Sequence, residues 1–109
     1  MMRTIDAEIL MRLTPSQISM LHLLGEPLPF CERGGWTLKE RIRAGHASLV
    51  RQTGQDFGFD PQRWHDYLRE TNAGGYRWSN KHLGMPRRIA EAIHDPDWGR
   101  TIEELRDNA

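Results

Sequence analysis

The chain repeats one local pattern that constrains its fold more than any other: a helix-capping residue followed at once by proline. The pattern occurs at Thr14-Pro15, Asp60-Pro61 and Asp95-Pro96. A Thr or Asp side chain at the N-cap accepts hydrogen bonds from the free amides of the first turn, and proline at the first helical position loses no hydrogen bond. The sequence therefore predicts a helix beginning at each of these prolines.

Further helix signals lie between these points. Thr37 with Glu40 forms a capping box, as does Thr14 with Gln17. Met85-Pro86 predicts another helix start, and Gly25 and Gly54 stand where left-handed helix ends are expected. The segment 5–13 carries apolar residues four apart, which indicates a sixth helix.

Strand signals are weak, because no window alternates apolar and polar residues. The sequence thus predicts a compact all-α domain, residues 1–109, of five or six short helices. Two long loops, 27–36 and 72–85, interrupt it. Gly45 lies on the apolar side of the second predicted helix, where either close approach of a neighbouring helix or a break in the helix accounts for it. Helical spacing predicts as core Ile18, Leu21, Leu24, Ile42, Leu49, Trp64, Leu68, Ile89 and Ile93.

Composition narrows the class of protein. A chain of 109 residues is the size of one domain. The single cysteine, Cys31, cannot form an internal disulfide, which favours a reducing, cytoplasmic location. Apolar runs are far shorter than the roughly 20 residues that span a bilayer, and the first residues lack the order of a secretion signal. We therefore expect a soluble cytoplasmic protein without membrane contact.

Charge is balanced in total and uneven along the chain. Fifteen Lys and Arg face fifteen Asp and Glu. Counted in blocks, residues 1–32 carry −2, 33–51 carry +4, 52–70 carry −2, 71–88 carry +4 and 89–109 carry −4. Oppositely charged patches of this kind steer and orient a docking partner.

The second basic block coincides with a loop rich in glycine and aromatic residues. Aromatic and Arg side chains dominate the energetics of protein interfaces, so this segment predicts a recognition surface. Stacking of the rings on nucleic-acid bases is a second interpretation, and packing of Tyr76 and Trp78 onto the core is a third. The predicted partner-binding residues are Tyr76, Arg77, Trp78, Lys81, His82, Arg87 and Arg88.

Two other surfaces are alternatives. An acidic patch in the last predicted helix is formed by Glu103, Glu104 and Asp107. A basic stripe on the second helix, formed by Lys39, Arg43 and Arg51, would extend a nucleic-acid surface if it lay beside the loop. The isoelectric point near 7.0 weighs against nucleic acid, since basic binding domains commonly exceed about 9.

Catalytic signals are weaker. Cys31 with a histidine, or His65 beside Asp66, would need a converging pocket that no motif indicates. The five histidines lack the short spacings of zinc sites, and no glycine-rich phosphate loop is complete. We therefore expect no metal, no cofactor and no enzymatic activity.

These observations favour a non-catalytic intracellular domain that binds another protein. One version is an inhibitor of the immunity or antitoxin type, which blocks a toxin or other enzyme. The alternative is a small helical nucleic-acid-binding factor that uses the basic aromatic loop. Exposed aromatic surface would serve a homodimer equally well.

Overall fold

A computed structural model describes residues 12–28, 35–77 and 83–107. Within these ranges the chain forms five α-helices and no strand, which confirms the all-α prediction. The helices are α1 (Pro15–Leu23), α2 (Leu38–Thr53), α3 (Pro61–Thr71), α4 (Met85–His94) and α5 (Pro96–Asp107). A 3-10 turn, Ala73–Gly75, follows α3 inside the second predicted loop. Of the predicted helix 5–13, only residues 12 and 13 are described, and they are not helical.

The helix starts form as the capping pattern predicts. At α1, the Thr14 hydroxyl accepts from the Gln17 amide at 3.4 Å and the Gln17 side chain accepts from the Thr14 amide at 3.1 Å. Thr37 and Glu40 make the same reciprocal pair at the start of α2. Asp60 accepts from a first-turn amide of α3 at 3.2 Å. These bonds satisfy amides that a helix otherwise leaves free, so each start is fixed locally.

Helix α1 is the central helix, and every residue in it except Pro15 and Ile18 is buried. Its closest neighbour is α2, which meets it at Gly45. A Cβ atom at Gly45 would overlap the Leu23 amide nitrogen and would lie 2.6 Å from the Ser19 carbonyl oxygen. The two backbones therefore touch, and of the two interpretations of Gly45 the close approach is correct, within an unbroken α2.

The core contains seven of the nine predicted residues. Ile18 is only partly buried against it. Ile93 was predicted from its spacing of four from Ile89, and this prediction is wrong, because its side chain is 48% exposed. The buried residues of α4 are Met85, Ile89 and Ala92, so Ile93 lies just beyond the edge of the buried face. None of the described helices is both long enough and apolar enough to cross a membrane.

Candidate functional site

An open cleft of about 310 Å³ lies between α1, α3 and the loop that leads into α4. His65, Arg69 and Arg77 supply its charged or titratable wall. Leu83 and Met85 supply apolar surface, and both side chains are otherwise buried. Gln17, Tyr76 and Gly84 complete the lining. The cleft thus combines apolar surface with a few polar groups, as binding pockets commonly do.

The loop wall of the cleft is fixed by side chains from α1. The Gln17 amide donates to the Tyr76 carbonyl at 3.2 Å, and the Ser16 hydroxyl donates to the Gly74 carbonyl at 3.0 Å. The Arg77 amide donates to the Asn72 side chain at 2.8 Å. Each bond satisfies a backbone group of the loop that has no partner within a helix. The position of Arg77 is therefore set by the fold.

His65 and Tyr76 form a buried pair at the base of the cleft. The His65 Nδ1 atom and the Tyr76 hydroxyl are 2.6 Å apart, and the residues are 6% and 7% exposed. Burial, aided by the charge of Arg69 and opposed by Asp66, lowers the pKa of His65. Burial also raises the pKa of Tyr76, an effect that Arg69 opposes. At neutral pH both groups are uncharged.

The direction of this hydrogen bond follows from the proton count. His65 is the partner of the buried Tyr76 hydroxyl among the described residues. If Nδ1 carried the imidazole proton, the hydroxyl proton would lack an acceptor, at a cost of about 1–3 kcal/mol. Tyr76 therefore donates to Nδ1, and the proton of the neutral ring lies on Nε2. Nε2 has no hydrogen-bond partner in the described part of the chain.

Arg69 and Arg77 both line the cleft. Arg69 follows His65 by four residues on the same face of α3, and Arg77 comes from the loop. Both residues are exposed. Over residues 12–28, 35–77 and 83–107, neither guanidinium forms an ion pair. The charge of both groups is available to a ligand.

The residues predicted for partner binding divide among several environments. Tyr76 belongs to the core, which is the third of the interpretations considered for its ring. Arg77 is exposed at the cleft, and Arg87 is exposed with its Nε atom 3.3 Å from Glu91. Trp78, Lys81 and His82 lie outside the described residues.

Arg88 differs from the other predicted basic residues because its side chain is only 13% exposed. Its Nη1 atom donates to Glu26 at 2.8 Å, and its Nε atom donates to the Leu83 carbonyl. Glu26 itself is 11% exposed at the side chain and lies just beyond α1. Arg88 therefore joins the start of α4 to the segment after α1 and has a structural role.

The two alternative surfaces remain predictions. Glu103, Glu104 and Asp107 are all exposed on α5. Glu104 lies 3.8 Å from the Nζ atom of Lys39, so the basic stripe of α2 is partly neutralised by α5. Arg43 and Arg51 are exposed.

Two sequence hypotheses concerned catalysis by Cys31 and metal binding by histidines. Cys31 lies outside the described residues. In the described part of the chain, no three His, Cys, Asp or Glu side chains are grouped as metal ligands.

The sequence does not identify His65 and Arg69 as neighbours of Arg77. They lie on α3, and only the return of the loop over that helix brings them together. Their spacing of four predicts that they share one face of a helix, but periodicity alone does not show which element packs against that face. The sequence pattern predicted the capping role of Gln17 but not its second hydrogen bond, to the Tyr76 carbonyl in the loop.

Comparison of the chain with protein-family models, curated proteins and solved structures finds no match.

Proposed function

We propose that this protein is a non-catalytic cytoplasmic domain that binds another protein through the cationic side of the cleft. The observation that carries the proposal is the pair of exposed guanidinium groups, Arg69 and Arg77, at the border of a partly apolar cleft. An inhibitor of the immunity or antitoxin type is the form of binding protein that we favour. Such proteins act by docking, which opposite charge patches accelerate and orient.

The position of the two arginines supports a role in docking. Each guanidinium offers planar donors that bind carboxylates in pairs. The amide bond of Arg77 to Asn72 and the helical position of Arg69 hold both backbones in place, so the order lost on binding is confined to the side chains. Arg at a partly desolvated site is among the residues that contribute most to interfaces.

Nucleic-acid binding is the less supported alternative. Base stacking on Tyr76 would need an open ring face, whereas this residue is 7% exposed and its hydroxyl is bonded to His65. The basic stripe of α2 is also opposed by Glu104.

The proposal is tested by recovering complexes from the native cell with the wild-type chain and two double variants. Arg69→Ala with Arg77→Ala removes the cationic side of the cleft. Arg100→Ala with Arg106→Ala removes the same charge from exposed positions on α5, outside the cleft and the basic stripe. We expect a partner protein that is recovered with wild type and the control and lost with the cleft variant. With purified components, affinity should fall by about tenfold or more.

Other outcomes distinguish the alternatives. A partner retained equally by all three chains would contradict the proposed surface. Oligonucleotide binding that weakens steeply as the salt concentration rises would instead support the nucleic-acid function, provided that both double variants show it to the same extent. If light scattering shows a molar mass that rises with protein concentration, and only the cleft variant loses this self-association, the partner is a second copy of this chain.

A further inference from the structure

We propose that the cleft is a receptor for one carboxylate group, supplied by an acidic residue of the partner protein. This inference rests on the proposed function and names the chemical group that the cleft receives. The groups that carry it are His65, Arg69 and Arg77.

These three residues present hydrogen-bond donors to the cleft. The two guanidinium groups have no acceptor atoms, and the Tyr76 hydroxyl occupies the acceptor nitrogen of His65. The remaining ring nitrogen of His65, Nε2–H, is a donor without a partner among the described residues. An ionised carboxylate accepts only, and so complements all three donors.

Charge favours a monoanion. Arg69 and Arg77 each carry one positive charge, and Asp66 is close enough to act on both His65 and Tyr76. Among the described residues, these two cations and the neighbouring Asp66 carboxylate leave a net charge of +1 around the cleft. One incoming carboxylate neutralises it, whereas a phosphate dianion would leave excess negative charge beside partly buried groups, which is unfavourable.

The size and the apolar wall favour a side chain over a larger ligand. A volume of about 310 Å³ is at the lower end of the range for ligand pockets, which is about 300–1,000 Å³. Leu83 and Met85 offer contact for the methylene groups that precede a Glu or Asp carboxylate. Glu, with two methylene groups, fits this combination best.

The test is an NMR titration of the full chain with short blocked peptides. The probes are acetyl-Gly-Glu-Gly-amide, its Gln counterpart, its phosphoserine counterpart, and acetyl-Gly-Gln-Gly with a free C-terminal carboxylate. We expect saturable shifts at the Arg77 and Leu83 amides with the Glu probe and none with the amidated Gln probe. The free C-terminal probe separates the two sources of a carboxylate. Tighter binding of the Glu probe supports an acidic side chain as the source, and tighter binding of the free C-terminal probe would overturn that assignment.

Variants connect the binding to the named residues. Arg69→Gln and Arg77→Gln should each weaken the Glu probe by about tenfold, as expected for loss of a charge-assisted bond, whereas Arg106→Gln should not. Equal shifts with Glu and Gln, or tighter binding of phosphoserine, would overturn the carboxylate assignment. If the partner is lost with the cleft variant while no peptide binds, the proposed function stands and this inference fails. If peptides bind and no partner depends on the cleft, the proposed function fails and the carboxylate site stands.

Discussion

Arg77 and Arg88 belong to the same basic block of sequence and have opposite environments. Arg77 is exposed and without an ion pair in the described part of the chain, while Arg88 is 13% exposed and bonded to Glu26 at 2.8 Å. The hydrogen bond from its amide to Asn72 holds the backbone of Arg77, while its side chain stays exposed. A block of positive charge in a sequence can therefore contain both a residue with a structural role and an exposed residue that is available to a partner. Burial and partner distance separate the two roles.

Arg88→Ala should have the largest effect on stability. Removing the guanidinium leaves the mostly buried Glu26 carboxylate without this partner, and breaking a buried pair costs about 3 kcal/mol. Urea unfolding of wild type and variant measures the loss. Arg87→Ala is the matched control, because its pair with Glu91 is exposed and worth at most about 1 kcal/mol. Equal stability of the two variants would contradict the structural role of Arg88.

Tyr76→Phe should have the next largest effect. The substitution keeps the ring and removes the hydroxyl that donates to His65 at 2.6 Å, which should cost about 1–2 kcal/mol. Thermal unfolding measures this loss. Tyr67→Phe is the control on α3, because the Tyr67 ring packs against Phe57 and no hydrogen bond to its hydroxyl occurs in the described residues. A loss in Tyr67→Phe as large as in Tyr76→Phe would show that the His65 bond contributes nothing.

Acidification should produce a smaller, graded loss of stability through His65. Its pKa in the folded chain lies below the ordinary value of 6.5, mainly because burial disfavours the charged ring. As pH falls through 6.5, the unfolded chain therefore takes up a proton that the folded chain does not, and unfolding is favoured. Unfolding free energies measured from pH 7.5 downward should fall more steeply for wild type than for His65→Gln. Parallel curves would show that His65 titrates alike in both states.

Local chemistry was enough to predict the starts of α1, α2, α3 and α5, because a cap and its amides lie within a few residues. Thr14 with Gln17 and Thr37 with Glu40 form the expected bonds. Periodicity was less reliable. Ile93 has the spacing of a core residue, but whether a position at the edge of a helix face is covered depends on the neighbouring elements.

The set of residues that lines the cleft could be predicted only in part from the sequence. Arg77 was predicted as a binding residue from its loop, and its exposure agrees with that use. His65 and Arg69 join it only because the loop folds back over α3. The interpretation of Tyr76 also needed the structure, since an aromatic residue in a glycine-rich loop fits a surface or a core position equally well. Long-range contacts, such as that between Gln17 and the Tyr76 carbonyl, decide between them.

Arg77→Ala should change stability least, and it sharpens the contrast with Arg88 most directly. Because its guanidinium forms no ion pair in the described part of the chain and the backbone bond to Asn72 does not need the side chain, the free energy of unfolding should stay within about 0.5 kcal/mol of wild type. Partner affinity should nevertheless fall by about tenfold or more, since the charge it removes is the one offered to the ligand. Urea unfolding together with a binding titration on the same samples separates the two effects. If Arg77→Ala instead destabilises the fold as Arg88→Ala does, the two arginines share one structural role and the cleft loses its binding residue.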